Sequence, residues 1–244
     1  MRVIFFLYGV LCYLIFFVTF LYAIGFVGNY WVPKSMDSGV QVPLVEALLI
    51  NTLLLSVFAV QHSVMARAGF KSWWSKIIPK ALERNTYVLF SSLALLLIFW
   101  QWRPMGDIVW DLSGTVAGNI LIVVSLVGWL FVLVSTFLLD HFELLGLKQA
   151  LSNLTGNDIE HSHFKTPGFY KFVRHPIYLG FTIAFWATPI MTTAHLLFAM
   201  GTLGYTIVGI TLEERDLIGS FGDEYRRYQE KVSMLFPLPS KREK

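Results

Sequence analysis

From Pro176 to Leu212 the chain runs for 37 mostly apolar residues between two polar ends, Arg174-His175 and Glu213-Glu214. As one helix this stretch would be about 55 Å long, against a hydrocarbon core of about 30 Å. It is therefore predicted to fold back as a hairpin. Pro176 suits the first turn of a helix, where its missing N–H has no partner to lose. Pro189 and the run Thr192-Thr193-Ala194-His195 supply the turning point, because proline and β-branched polar residues interrupt a helix. Arg174-His175 and Glu213-Glu214 then return to one side of a membrane.

The rest of the chain obeys the same constraint. With 55% of its 244 residues hydrophobic and 14% charged, it is too apolar to keep its surface in water. Further spans are predicted at Val3 to Val27, Pro43 to Gln61, Thr86 to Trp102 and Val116 to Leu139, with the hairpin halves at Ile177 to Met191 and Leu196 to Leu212. The first run exceeds the roughly 7–15 apolar residues of a signal peptide and is read as a retained span. The predicted fold class is all-α, a polytopic membrane helical bundle of five to six spans. Residues 1–139 form a four-span region and 140–244 the region with the hairpin, the two making one integrated membrane domain. Cys12 is the single cysteine, which excludes a disulfide framework and a cysteine metal cluster; no metal site is predicted.

Charge sets the topology. With the N-terminus inside, the segments Met1 to Arg2, His62 to Asn85, Asp140 to His175 and Glu213 to Lys244 hold 17 of the 19 Lys and Arg, leaving Lys34 and Arg103 outside. Both termini are thus expected to be cytosolic, and the modest net charge of +3 is arranged by side rather than as a nucleic-acid patch. Trp31, Trp100, Trp102 and Trp110 are expected at the outer interface, and Trp73 and Trp74 at the inner one. Phe70, Trp73, Trp74, Ile77 and Ile78, interleaved with Lys71, Lys76 and Lys80, read as a helix on the inner surface. A second interfacial helix is predicted on the stripe Leu144, Leu147, Leu151 and Leu154. Gly114 and Gly118 fit a small-xxx-small helix contact.

Ionisable groups at span ends are cheap in water and costly elsewhere, so a cluster on one side marks a candidate site. Four groups are placed on the inner face: Gln61-His62, Asp140-His141, Arg174-His175 and Glu213-Glu214. Acids at a helix C-terminus meet the negative end of its dipole at about 0.3–1 kcal/mol each. Arg174, Arg215 or a cationic ligand is therefore expected beside the pair.

Arg174-His175-Pro176-x-Tyr178-x-Gly180, Glu213-Glu214, then Phe221-Gly222-x-Glu224-Tyr225-x-x-Tyr228 and the prolines Pro237 and Pro239 resemble the membrane methyltransferase superfamily. Isoprenylcysteine carboxyl methyltransferases and phospholipid N-methyltransferases belong to it. Gln61-His62-Ser63-Val64-Met65-Ala66-Arg67 and Glu83-Arg84-Asn85-Thr86-Tyr87 resemble the related NnrU-type membrane proteins.

The resemblance implies a transferase of a bacterial inner membrane that uses S-adenosylmethionine from the cytosol to methylate a small volatile thiol, methanethiol, to dimethyl sulfide. A lipid amine or a protein cysteine carboxylate is the alternative acceptor, and a haem-binding protein with His62 and His141 as axial ligands is the alternative class. It implies that His175, Tyr178, Gly180, Glu213 and Glu214 hold the cofactor. Tyr178, Tyr170 or Phe164 would face the sulfonium in a cation–π contact. In-line displacement by sulfur needs a thiolate, so His141 oriented by Asp140 is the expected base, with Arg174 as a source of positive field and His62 and His163 as runners-up. The segment His161 to Phe164 is a candidate lid.

Overall fold

The computed structural model describes residues 1–157 and 164–237. His161, His163 and most of the candidate lid, together with Pro239, lie outside the described residues. Among the described residues five helices are long and apolar enough to cross a membrane: α1 (Arg2–Gly28), α2 (Leu44–Ala66), α4 (Lys80–Gln101), α5 (Val116–Leu139) and α9 (Thr193–Phe221). Shorter helices are α3 (Ala68–Trp74), α6 (His141–Leu144), α7 (Leu147–Thr155), α8 (Pro176–Trp186) and α10 (Asp223–Lys231). The protein is an all-α integral membrane bundle, with one addition that alternation did not signal: a two-stranded antiparallel pair, β1 (Ile108–Asp111) with β2 (Ile190–Thr192).

Contacts divide the chain into two compact units. One holds Met1–Asp111, α7 and Ile190–Gly201; the other holds Leu112–His141, the chain from Phe164 to Pro189 and the chain from Thr202 onward.

In the first unit α4 packs against α1 and α2, and α7 against α1 and α4. Phe26, Phe99, Trp102 and Phe198 form its aromatic core, with edge-to-face contacts of Trp102 on Phe26 and Phe198. Trp102 is fully buried there, so it does not belong to an interfacial belt; Trp31 and Trp100 are the exposed members. Two other expectations change. The surface helix α3 stops at Trp74, short of Ile77 and Ile78. The leucine stripe is split between α6 and α7, because Gly146 turns into the left-handed region at φ 87°, where a Cβ would lie 2.7 Å from Asn85 Nδ2.

The second unit is built on α5 against α8. A Cβ at Gly128 would sit 2.8 Å from Gly180 O, and one at Gly180 would sit 2.9 Å from Gly128 O, so the two backbones touch directly. This is the small-residue contact; Gly118, by contrast, faces the loop carbonyl of Leu112 and not a helix. Thr115 caps α5 by accepting from Gly118 N at 3.0 Å. Ser125 donates to Ala184 O at 2.9 Å and satisfies a carbonyl at the open end of α8.

The hairpin breaks where Pro189 and Thr192-Thr193 require, but its halves are unequal. Eleven residues make α8 about 16 Å long, half a bilayer. With 29 residues, α9 reaches about 44 Å. It starts earlier than predicted because Thr192 Oγ1 accepts from His195 N at 3.1 Å, an N-cap bond. It ends at Phe221, so Glu213-Glu214 stand two turns inside the helix rather than at its end.

Candidate functional site

Because Glu213 and Glu214 are interior to α9, the end-of-dipole argument for a nearby cation does not apply to them. The cations are present for a more direct reason: the carboxylate sits against the start of α8. Arg174 Nε donates to Glu214 Oε1 at 2.6 Å, and His175 Nε2 bonds the same oxygen at 3.0 Å. A carboxylate oxygen only accepts, so Nε2 of His175 carries its proton. Gln229 Nε2 donates to Oε2 at 2.8 Å, and Tyr225 O–H donates to Oε1 at 3.4 Å. Glu214 is thus held by four donors from two segments, with its side chain 14% exposed.

Tyr225 and Gln229 were not singled out as partners of the acid. The signal was their spacing: four residues apart on α10, they share a face one turn apart.

The C-terminal chain is strapped along the same turn. Arg174 N donates to Ser233 O at 2.9 Å and His175 N to Met234 O at 3.2 Å. The Arg174 guanidinium also donates to Gln229 O and Val232 O, which closes the end of α10. Below it Val173, Leu179, Ile210 and Leu235 form a buried apolar cluster with Tyr178 on its edge.

Glu213 differs from its neighbour in every respect. Its side chain is 45% exposed, and among the described residues its ionic contact is a loose 3.8 Å approach to His175 Nδ1. The rings of Tyr170 and Tyr225 stand close enough to feel its charge: burial first, and then charge from Glu213 for Tyr170 or from Glu214 and Glu213 for Tyr225, push both phenols well above the usual tyrosine range. Tyr228, whose hydroxyl donates to Tyr170 O, is pushed up to about 12, chiefly by burial. Phe164 packs into the aromatic group of Phe221, Tyr225 and Tyr228, with centroids 5.3–5.7 Å away. Tyr178 lies against His175, their rings 5.7 Å apart. Gly180 faces α5, where it sets the height of the His175 turn.

His141 follows the last turn of α5. Thr136 Oγ1 donates to Leu133 O at 2.7 Å, which uses its one proton, so His141 Nδ1–H donates into the same oxygen at 2.8 Å. That fixes the tautomer and leaves the lone pair on Nε2. Phe137 stacks on the ring at 4.2 Å and 5°. Burial lowers the pKa of His141, and the Asp140 charge opposes that shift. Thr136 and Phe137 therefore hold the ring, with Asp140 acting through its field.

His62 belongs to the other unit. Its Nδ1 is 3.0 Å from Ser91 Oγ and its Nε2 2.7 Å from Tyr87 O–H, with Phe58 stacked on the ring. Both nitrogens are engaged within the bundle, so the ring is committed to joining α2 with α4.

These features define a polytopic membrane protein with a carboxylate–arginine–histidine knot at the root of a half-length helix. The chain belongs to the NnrU protein family, whose model matches residues 49–236. It is 57% identical to methanethiol S-methyltransferase 1 of Bradyrhizobium diazoefficiens over 95% of this chain and 81% of that protein. Identity to the methanethiol S-methyltransferase of Crocosphaera subtropica is 52%, covering 97% and 92% of the two chains. Nurim of Mus musculus is 30% identical over 77% of this chain and 72% of its own. No solved structure matches the chain.

Proposed function

We propose that the protein methylates methanethiol to dimethyl sulfide with S-adenosylmethionine as donor, at the cytosolic face of a bacterial inner membrane. The observation that carries this reading is the division of labour between adjacent acids. Glu214 is saturated by Arg174, His175, Gln229 and Tyr225, whereas Glu213 presents a half-exposed carboxylate whose charge acts on Tyr170 and Tyr225. An accessible acid of this kind suits an organic cation, which gains from its charge and from any ring face it meets. The relatives named as methanethiol S-methyltransferases support the acceptor.

The residues fit the cofactor by this test. Glu213 would balance its positive charge, Tyr170 and Tyr178 would offer ring faces, and His175 would hold Glu213 and Glu214 in place. When bound, S-adenosylmethionine supplies a methyl group already activated by its sulfonium. What remains for the chain is to orient the thiol, exclude water and take one proton. His141, neutral and with its lone pair on Nε2, is the proposed base, and Arg174 is bound so tightly to Glu214 that it acts as a positioning residue.

The test is incubation of purified protein with methyl-labelled S-adenosylmethionine and a panel of thiols and lipids, with headspace analysis. Labelled dimethyl sulfide that falls in the Glu213→Gln variant at subsaturating donor, and falls far more in the His141→Ala variant, is the expected result. Label found only in lipid would replace the acceptor, and label in neither would end the reading.

A further inference from the structure

Lys34 and Arg103 are the two basic residues that the charge count leaves apart from the others, and the structure gathers both at one end of the first unit. Between α1 and α4 there is a groove of about 510 Å³, lined by Tyr22, Lys34, Leu93, Leu97 and Trp100 among others. Tyr22 O–H donates to Lys34 O at 2.9 Å and fixes the loop there. The Lys34 ammonium donates to the Trp100 carbonyl, one of the unpaired carbonyls of the last turn of α4. An ammonium has three donors, so this leaves two among the described residues. Arg103 is pinned through its backbone, N donating to Asn51 Oδ1 at 2.9 Å and O accepting from Asn51 Nδ2 at 2.8 Å, and its guanidinium donates to Gln101 O at 2.8 Å and Gln101 Oε1 at 3.2 Å, two of its five donors. Among the described residues neither cation has a carboxylate within 4.0 Å. Burial and the Arg103 charge both lower the pKa of Lys34. Trp100, 70% exposed on the rim, marks headgroup depth.

An apolar groove with the Lys34 ammonium in its lining, the Arg103 charge acting on it, and no carboxylate within 4.0 Å of either cation among the described residues suits an anion that carries hydrocarbon. We propose that the groove binds an anionic phospholipid, one acyl chain lying along Tyr22, Leu93 and Leu97 and its phosphate on Lys34, with Arg103 adding to the positive field. Each cation strengthens the site for a charged headgroup, and a zwitterionic lipid gains less because its own ammonium competes.

The readout must be local, because the basic surface around α3 also attracts anionic lipid. Full-length protein in nanodiscs is irradiated with phosphatidylglycerol carrying a photoactivatable acyl chain, or with the matching phosphatidylcholine, and adducts are mapped by peptide mass spectrometry. Adducts between Leu93 and Trp100 are expected about tenfold or more in favour of phosphatidylglycerol. The double variant Lys34→Gln, Arg103→Gln should bring the ratio near one, and Leu97→Trp should remove adducts of both lipids. If the double variant does not fold, Lys34→Gln alone should cut the ratio about threefold. Equal labelling by the two probes in the wild type, or a ratio unchanged by Lys34→Gln, overturns the proposal.

Discussion

Arg174 and Glu214, 40 residues apart in the chain, are joined by a 2.6 Å bond whose two side chains are 11% and 14% exposed. The pair ties the N-terminus of α8 to α9, and the remaining Arg174 donors reach α10. Removing one member of such a pair leaves the other charge in a poorly solvated place.

Glu214→Gln is therefore expected to act on folding, with a loss of about 3–5 kcal/mol. Glu213→Gln removes a half-exposed carboxylate whose partner is 3.8 Å away, so stability should move by less than about 1 kcal/mol while affinity for S-adenosylmethionine falls about tenfold. Thermal melts paired with calorimetric titration separate the two. Equal effects of the two substitutions on both measurements would remove the distinction on which the proposed function rests.

The α5–α8 contact predicts a second site of sensitivity. A Cβ at Gly180 would lie 2.7 Å from Val132 Cγ2 and 2.9 Å from Val132 N, and the latter cannot yield. Gly180→Ala should cost about 1–3 kcal/mol in stability and lower cofactor affinity by shifting the His175 turn. Gly204, where a Cβ meets nothing within 4 Å, serves as the control, and Gly204→Ala should keep both properties.

His141 gives a pH prediction. Its folded pKa is below the ordinary value of 6.5, chiefly through burial, so below about pH 6.5 the unfolded chain binds more protons than the folded one. Its contribution to stability is complete above that pH and is lost as acid protonates the ring. Turnover should show the same acidic limb if His141 is the base. His141→Ala should abolish the limb and cut kcat about 10²-fold or more, leaving cofactor Kd nearly unchanged. Wild-type turnover in that variant would move the base elsewhere.

At alkaline pH the sign reverses. Tyr228 has a folded pKa of about 12 against an ordinary value of 10.0, so its neutral form favours the folded state below pH 10, and that advantage disappears between about 10 and 12. Tyr228→Phe should lose about 1 kcal/mol at pH 8, with the bond to Tyr170 O, and should show a shallower fall in melting temperature above pH 10. An alkaline limb identical to that of the wild type would show that Tyr170 and Tyr225 alone carry it.

What the sequence determined by itself is local. Apolar runs of bilayer length fixed the spans, most directly Val116 to Leu139, which is α5 to the residue. The break at Pro189 and Thr192, the helix start at Pro176 and the segregation of basic residues follow from chain chemistry alone, because backbone hydrogen bonding in lipid leaves little choice. The tertiary structure decided which acid is which. Glu213 and Glu214 are the same residue type on one helix, and 100° of rotation turns one into the Arg174–His175 knot and the other outward. It also decided that Trp102 is core, that Gly180 serves packing against Gly128, and that Thr136 and Phe137 hold His141. Each of these depends on partners distant in sequence or on side-chain rotation, and hydropathy and spacing carry no record of either.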